Sequence, residues 1–129
     1  MPDHIHLLWL GIVDGCDQQL AMQHFRARVN EVLQVYDCRL QDQAYDHVLK
    51  ETDRLEEGFK ALVDYISRNP ERGGLVDREG FASYPYTSCL IPGYPELELF
   101  SDEYWTRFWR TYAYLRKNGL FRLRDRKSL

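Results

Sequence analysis

Two pairs of side chains carry the spacing that chemistry needs. His4 and His6 are separated by one residue, so on a strand both imidazoles leave the same face, about 6.5 to 7 Å apart at the backbone. Two neutral imidazoles so placed can chelate one divalent cation, with soft transition metals better suited than magnesium. Ordinary core or edge histidines satisfy the same spacing. Tyr65 and Asn69 stand four apart on a segment of helical period, which puts them on one face at the rim of its apolar stripe. A tyrosine packed at a core edge and an asparagine closing a helix before Pro70 have that spacing too. His47 reads either as a hydrogen-bonded packing residue or as a ligand.

The elements that must position these residues follow from periodicity. His4 to Val13 is apolar on both faces beyond the histidines, the pattern of a central strand covered on two sides. Asp14-Gly15 marks a turn. From Asp17 to Tyr36 the recurrence of Phe25, Val29, Val32, Leu33 and Tyr36 predicts an amphipathic helix. Residues 43–50 read as a short strand. A second helix opens at Asp53, with Glu56 set for a capping box, carries Leu55, Phe59, Leu62, Val63 and Ile66, and stops at Pro70. A loop rich in Gly, Pro and Tyr leads to a third helix, opened by Ser101, carrying Trp105, Phe108, Trp109, Tyr112 and Leu115, and ending near Asn118-Gly119. The order predicts an α+β domain.

Composition narrows the class. The 129 residues suit one domain, and 18 aromatic residues promise a filled interior. The apolar stretch near the start is far short of the roughly 20 residues a membrane helix needs, so the chain reads as cytosolic with no membrane partner. Cys16, Cys38 and Cys89 form neither a disulfide framework nor a zinc knuckle. Net charge is −3, divided between +7 over residues 107–129 and −10 over the rest. A basic tail is the footprint of a polyanion partner, and equally of a solvated terminus.

Together, the opening MPDHIHLLW, then QAYDHVL, YISRNPERGGLV and YPYTS, resemble the single-tyrosine HUH transposases, specifically their REP-associated (IS200-like) branch. The likeness spans residues 1 to about 90 in the family's order; Asp3 stands where Asn is common and Gly74 where Ala is common. It implies a ferredoxin-like HUH domain over 1–90, an antiparallel sheet with helices on one face, followed by a helical extension and basic tail over 91–129. It further implies a strand, a helix and a second strand missing ahead of the H-U-H strand, leaving an open sheet edge through which a homodimer would form. By the same likeness His4, His6 and Asn69 are ligands of Mg²⁺ or Mn²⁺, and Tyr65 is the nucleophile that forms a 5′-phosphotyrosine. The expected activity is DNA transposition by single-strand cleavage and strand transfer, in a cytoplasmic, nucleoid-associated protein. The expected partner is single-stranded DNA bearing hairpins, held by Arg68, Arg72, Arg78, Tyr84, Tyr86, Arg122, Arg124, Arg126 and Lys127. The alternatives are an inactive remnant that still binds DNA and a small protein-interaction module.

Overall fold

The computed structural model describes residues 1–42, 50, 56–91 and 93–119. They are built from four α-helices, α1 (Gln18–Leu33), α2 (Glu56–Ser67), α3 (Asn69–Arg72) and α4 (Tyr104–Asn118), with short 3₁₀ turns at Gln34–Tyr36 and Gly80–Ser83. Extended pairing among the described residues is limited to one isolated antiparallel bridge between Cys89 and Leu97. The α+β, ferredoxin-like expectation is therefore overturned: the fold is helical. No sheet, and so no open sheet edge, is present among the described residues. The reading of 43–50 as a strand falls on residues outside the described set except Lys50.

The chain separates into two compact units, Asp14–Leu49 and a larger one made of Met1–Val13 with Lys50–Leu129. In the smaller unit, the Asp17 carboxylate accepts from the Leu20 N–H at 2.9 Å and opens α1. Asp37, at φ 53, turns the chain out of the 3₁₀ extension in the left-handed region, where Asp is tolerated better than most residues. The returning strand of chain is tied back by Leu40 N–H to Asn30 Oδ1 at 2.8 Å and by Arg26 to the Gln41 carbonyl. No residue of α1 is buried. Its expected stripe is half covered at Phe25, Val29 and Leu33 and bare at Val32 and Tyr36. A helix with so little packing relies on its ends, because isolated helices of this length are marginal in water. Asp17→Ala is accordingly expected to cost about 1 kcal/mol and to lower the helical circular-dichroism signal; an unchanged signal would show that the cap does not hold α1.

The core of the larger unit is small and aromatic. Phe59 of α2 and Tyr104 and Phe108 of α4 are buried with Leu97, and Leu8, Val63, Ile91, Leu99, Trp105 and Trp109 pack around them. The stripe of α2 thus docks on the aromatic face of α4, with Phe59 5.6 Å from both Phe108 and Trp109, centroid to centroid. The Cys89–Leu97 bridge closes the intervening loop and delivers Leu97 to that core. At the far end of α4, the Gly119 N–H bonds to the Leu115 carbonyl at 2.7 Å with φ 77, a backbone geometry glycine permits.

The first thirteen residues do not form the expected strand. A strand needs a neighbour to take its alternating N–H and C=O groups, and the described residues supply none. Instead, Leu8 packs against the core, and the Tyr112 hydroxyl donates to the Gly11 carbonyl at 3.2 Å. Ile5, Leu7, Leu10 and Val13 stay exposed, so the double-sided apolar pattern marks neither a covered strand nor a core element here.

Candidate functional site

Tyr65 lies near the end of α2, where its ring is 54% exposed although the helix buries Phe59 and Ser67. After Ser67 the chain bends at Arg68 and restarts as α3, with Pro70 inside the first turn, where its missing N–H costs nothing. Pro70 therefore ends one helix and begins another. The bend carries Arg72 back over Tyr65: the guanidinium carbon is 4.0 Å from the ring centroid, and Nη1 donates to the Tyr65 carbonyl at 2.5 Å. This is a cation stacked on an aromatic face, with one edge locked by hydrogen bonds.

Asn69 is 8% exposed. Its Oδ1 accepts from Arg72 Nη1 at 3.2 Å, and its Nδ2 is buried without a partner. The orientation of the amide is set by that arginine, since reversing it would face donor to donor. The oxygen that metal ligation needs is already engaged.

The other basic and aromatic candidates fare differently. Arg68 lies over Phe81 at 4.1 Å and within ion-pair distance of Asp64, Glu71 and Glu79, with the Asp64 hydrogen bond holding its charge most firmly. It fastens α2 and α3 to the 3₁₀ turn and has no charge to spare. Arg72 has no carboxylate within ion-pair distance among the described residues. Arg78 is exposed, and Tyr84 meets Tyr86 edge to face at 5.5 Å, with Tyr86 open to solvent. Arg122, Arg124, Arg126 and Lys127 lie outside the described residues, as does His47. A cleft of about 460 Å³ beside α2 is lined by Lys60, Asp64, Ser67, Phe81 and Trp105 among others. Its charged groups are already paired, Lys60 with Glu56 and Asp64 with Arg68.

His4 and His6 come together without Tyr65 or Asn69. Their Nε2 atoms are 3.1 Å apart, and His4 Nδ1 is 2.7 Å from Asp3 Oδ1. The facing Nε2 atoms are within hydrogen-bond distance of each other, and Asp3 engages the far side of the His4 ring. Burial, and then the neighbouring His4, hold His6 below its ordinary value of 6.5. Between the lowered value and 6.5 the unfolded chain binds more protons than the folded one. This contribution to stability is therefore complete above about pH 6.5 and lost as pH falls towards the lowered value. The melting temperature of His6→Gln is expected to fall less than that of the wild type between pH 7.5 and 5; parallel curves would exclude the histidine pair as the cause.

The metal-dependent reading does not survive this geometry. Among the described residues, no group of three or more His, Cys, Asp or Glu side chains could hold a metal ion. No hydrogen bond or ring contact joins the histidine pair to Tyr65 or Asn69. The Mg²⁺ or Mn²⁺ centre is withdrawn, and with it phosphotyrosine cleavage and transposition. Among the described residues, no helix is long and apolar enough to cross a membrane. The chain matches no protein-family model, no curated protein and no solved structure. With the sheet also missing among the described residues, the likeness to HUH transposases rests on short motifs and fails as an assignment. What sequence reasoning missed is the Arg72–Tyr65 stack: the residues are seven apart, and only the break at Arg68 brings them together.

Proposed function

We propose that the chain binds single-stranded nucleic acid, with the Arg72–Tyr65 stack as its platform. The observation that carries this reading is an exposed guanidinium held over an exposed ring, its central carbon 4.0 Å from the ring centroid, with no carboxylate within ion-pair distance among the described residues. Such a plane accepts a nucleobase by stacking, and its cation faces the adjoining phosphate. The basic segment over 107–129, at +7, supplies further phosphate contacts, while the −10 of the remaining chain limits them. The Tyr65 hydroxyl has no part in this reading; only the ring does.

A fluorescence-anisotropy titration of 5′-labelled oligothymidylate tests it. Saturable binding is expected at low salt, weakening as NaCl is raised because phosphate contacts release counterions. Absence of binding at 20 mM salt, or binding indifferent to salt, sinks the reading.

A further inference from the structure

We propose that the outer face of α4 is a second contact surface for the strand, with Arg107, Arg110 and Lys117 taking phosphates and the Tyr114 ring taking a base. The inference rests on the nucleic-acid reading above and adds to it a surface other than the Arg72–Tyr65 stack. The buried residues of α4 are Tyr104, Phe108 and Leu115, so the face that carries them is spent on the core. At 3.6 residues per turn, Arg110 and Lys117 fall on the opposite face, and both are exposed. Arg107 and Tyr114 form the row beside them, Arg107 half-buried and Tyr114 56% exposed. The members of each row are seven residues apart, about 10.5 Å along the axis, close to three steps of a stacked strand at about 3.4 Å each.

The charges on this face are uncommitted. α4 contains no Asp or Glu. Arg28 is paired with Glu31, Arg39 with Asp42, Lys60 with Glu56 and Arg68 with Asp64. By contrast, Arg107, Arg110 and Lys117 have no carboxylate within ion-pair distance among the described residues, not even Glu103, one turn before Arg107. The helix dipole accounts for Arg116 and Lys117, which stand in the last turn where cations are favoured. It works against Arg107 at the other end, where no acidic residue in the first turn offsets it. An exposed ring flanked by unpaired cations offers a single strand a π-face for a base and positive charge for its backbone. A membrane surface would take the apolar face of a helix, and in α4 that face lies in the core.

The test titrates labelled oligothymidylate across a range of NaCl concentrations with the full chain and three variants: Arg110→Gln with Lys117→Gln, Tyr114→Ala, and Arg28→Gln with Arg39→Gln. Glutamine suits a helix nearly as well as arginine or lysine, so the α4 double variant keeps its fold. It is expected to flatten the slope of log affinity against log salt by about 1.4, since each phosphate contact to a single strand contributes about 0.7. Tyr114→Ala is expected to weaken binding about fivefold with the slope unchanged, the effect of losing one stacked base, and Tyr114→Phe to restore it. Arg28→Gln with Arg39→Gln removes the same charge from cations already paired and is expected to leave slope and affinity as they are. An unchanged slope in the α4 double variant overturns the inference, as do equal changes in the two double variants or wild-type affinity in Tyr114→Ala. If those α4 results come with binding that is lost in Tyr65→Ala, the second surface falls and the function stands. Binding that needs α4 and ignores Tyr65→Ala and Arg72→Ala keeps this surface and removes the platform. Capture by phosphatidylserine vesicles in preference to oligothymidylate, lost in the α4 double variant, assigns the face to lipid and overturns the inference. No binding of oligothymidylate by wild type overturns both.

Discussion

Phe59→Ala is expected to destabilise the larger unit by about 3–5 kcal/mol. That is a large fraction of the roughly 5–15 kcal/mol that holds a domain folded. Phe59 is 4% exposed and meets the rings of Trp105, Phe108 and Trp109 at 6.2, 5.6 and 5.6 Å. Beyond its own area, each well-placed aromatic pair adds about 0.5–1.5 kcal/mol. The core it fills has only Leu97, Tyr104 and Phe108 as other buried members, so little can close over the void. Urea denaturation followed by tryptophan fluorescence should show the midpoint falling sharply or the cooperative transition vanishing. By contrast, Val35→Ala, at an 81% exposed position, should stay within about 0.5 kcal/mol of wild type. Equal effects from the two substitutions would mean that the α2–α4 aromatic contact is not what holds the unit together.

Removing either half of the stack should be the largest single loss of binding. Tyr65→Ala deletes the ring, and Arg72→Ala deletes the cation that lies 4.0 Å above it. Stacking of one base on such a surface is worth about 1–3 kcal/mol, so a loss of about tenfold to a hundredfold is expected for each. Tyr65→Phe keeps the ring and should bind like wild type, which separates stacking from any use of the hydroxyl. Arg68→Ala should change affinity little, since its charge is taken by Asp64, Glu71 and Glu79. Both quantities come from the same anisotropy titration at fixed salt. If Arg68→Ala costs more than Arg72→Ala, the platform has been placed on the wrong arginine.

The three longer helices were legible in the sequence. Their apolar residues recur at helical spacing, and of the buried members Phe59, Phe108 and Leu115 are among those the periodicity selects, whereas Ser67 and Tyr104 are not. The end at Asn118-Gly119 was visible because a positive φ there favours glycine. The strand over 4–13 was not there to be read. An apolar run on both faces is compatible with a covered strand, but pairing is a property of two segments, and one sequence segment does not contain its partner. Pro70 was ambiguous for a related reason: proline disfavours the helix before it and suits the first turn of the next, and the chain uses it both ways. At the site, the sequence pointed to Tyr65, Asn69 and Arg72, but as a nucleophile, a metal ligand and a DNA contact respectively. The actual juxtaposition depends on the bend at Arg68, which three carboxylates and the Phe81 ring hold in place. That many-body arrangement has no local signature.

The hydroxyl of Tyr112 and the carbonyl of Gly11 meet across 101 positions of chain. Ile5, Leu7, Leu8 and Leu10 stand far along the chain from α4, which supplies Tyr112 and the core rings that receive Leu8. Closing so long a loop gains nothing until α2 and α4 have already docked, so seating of the first residues is the final step. Until then those side chains have no core to meet, the kind of surface that chaperones cover. The long separation along the chain thus makes the last contact to form the one whose delay leaves these side chains bare.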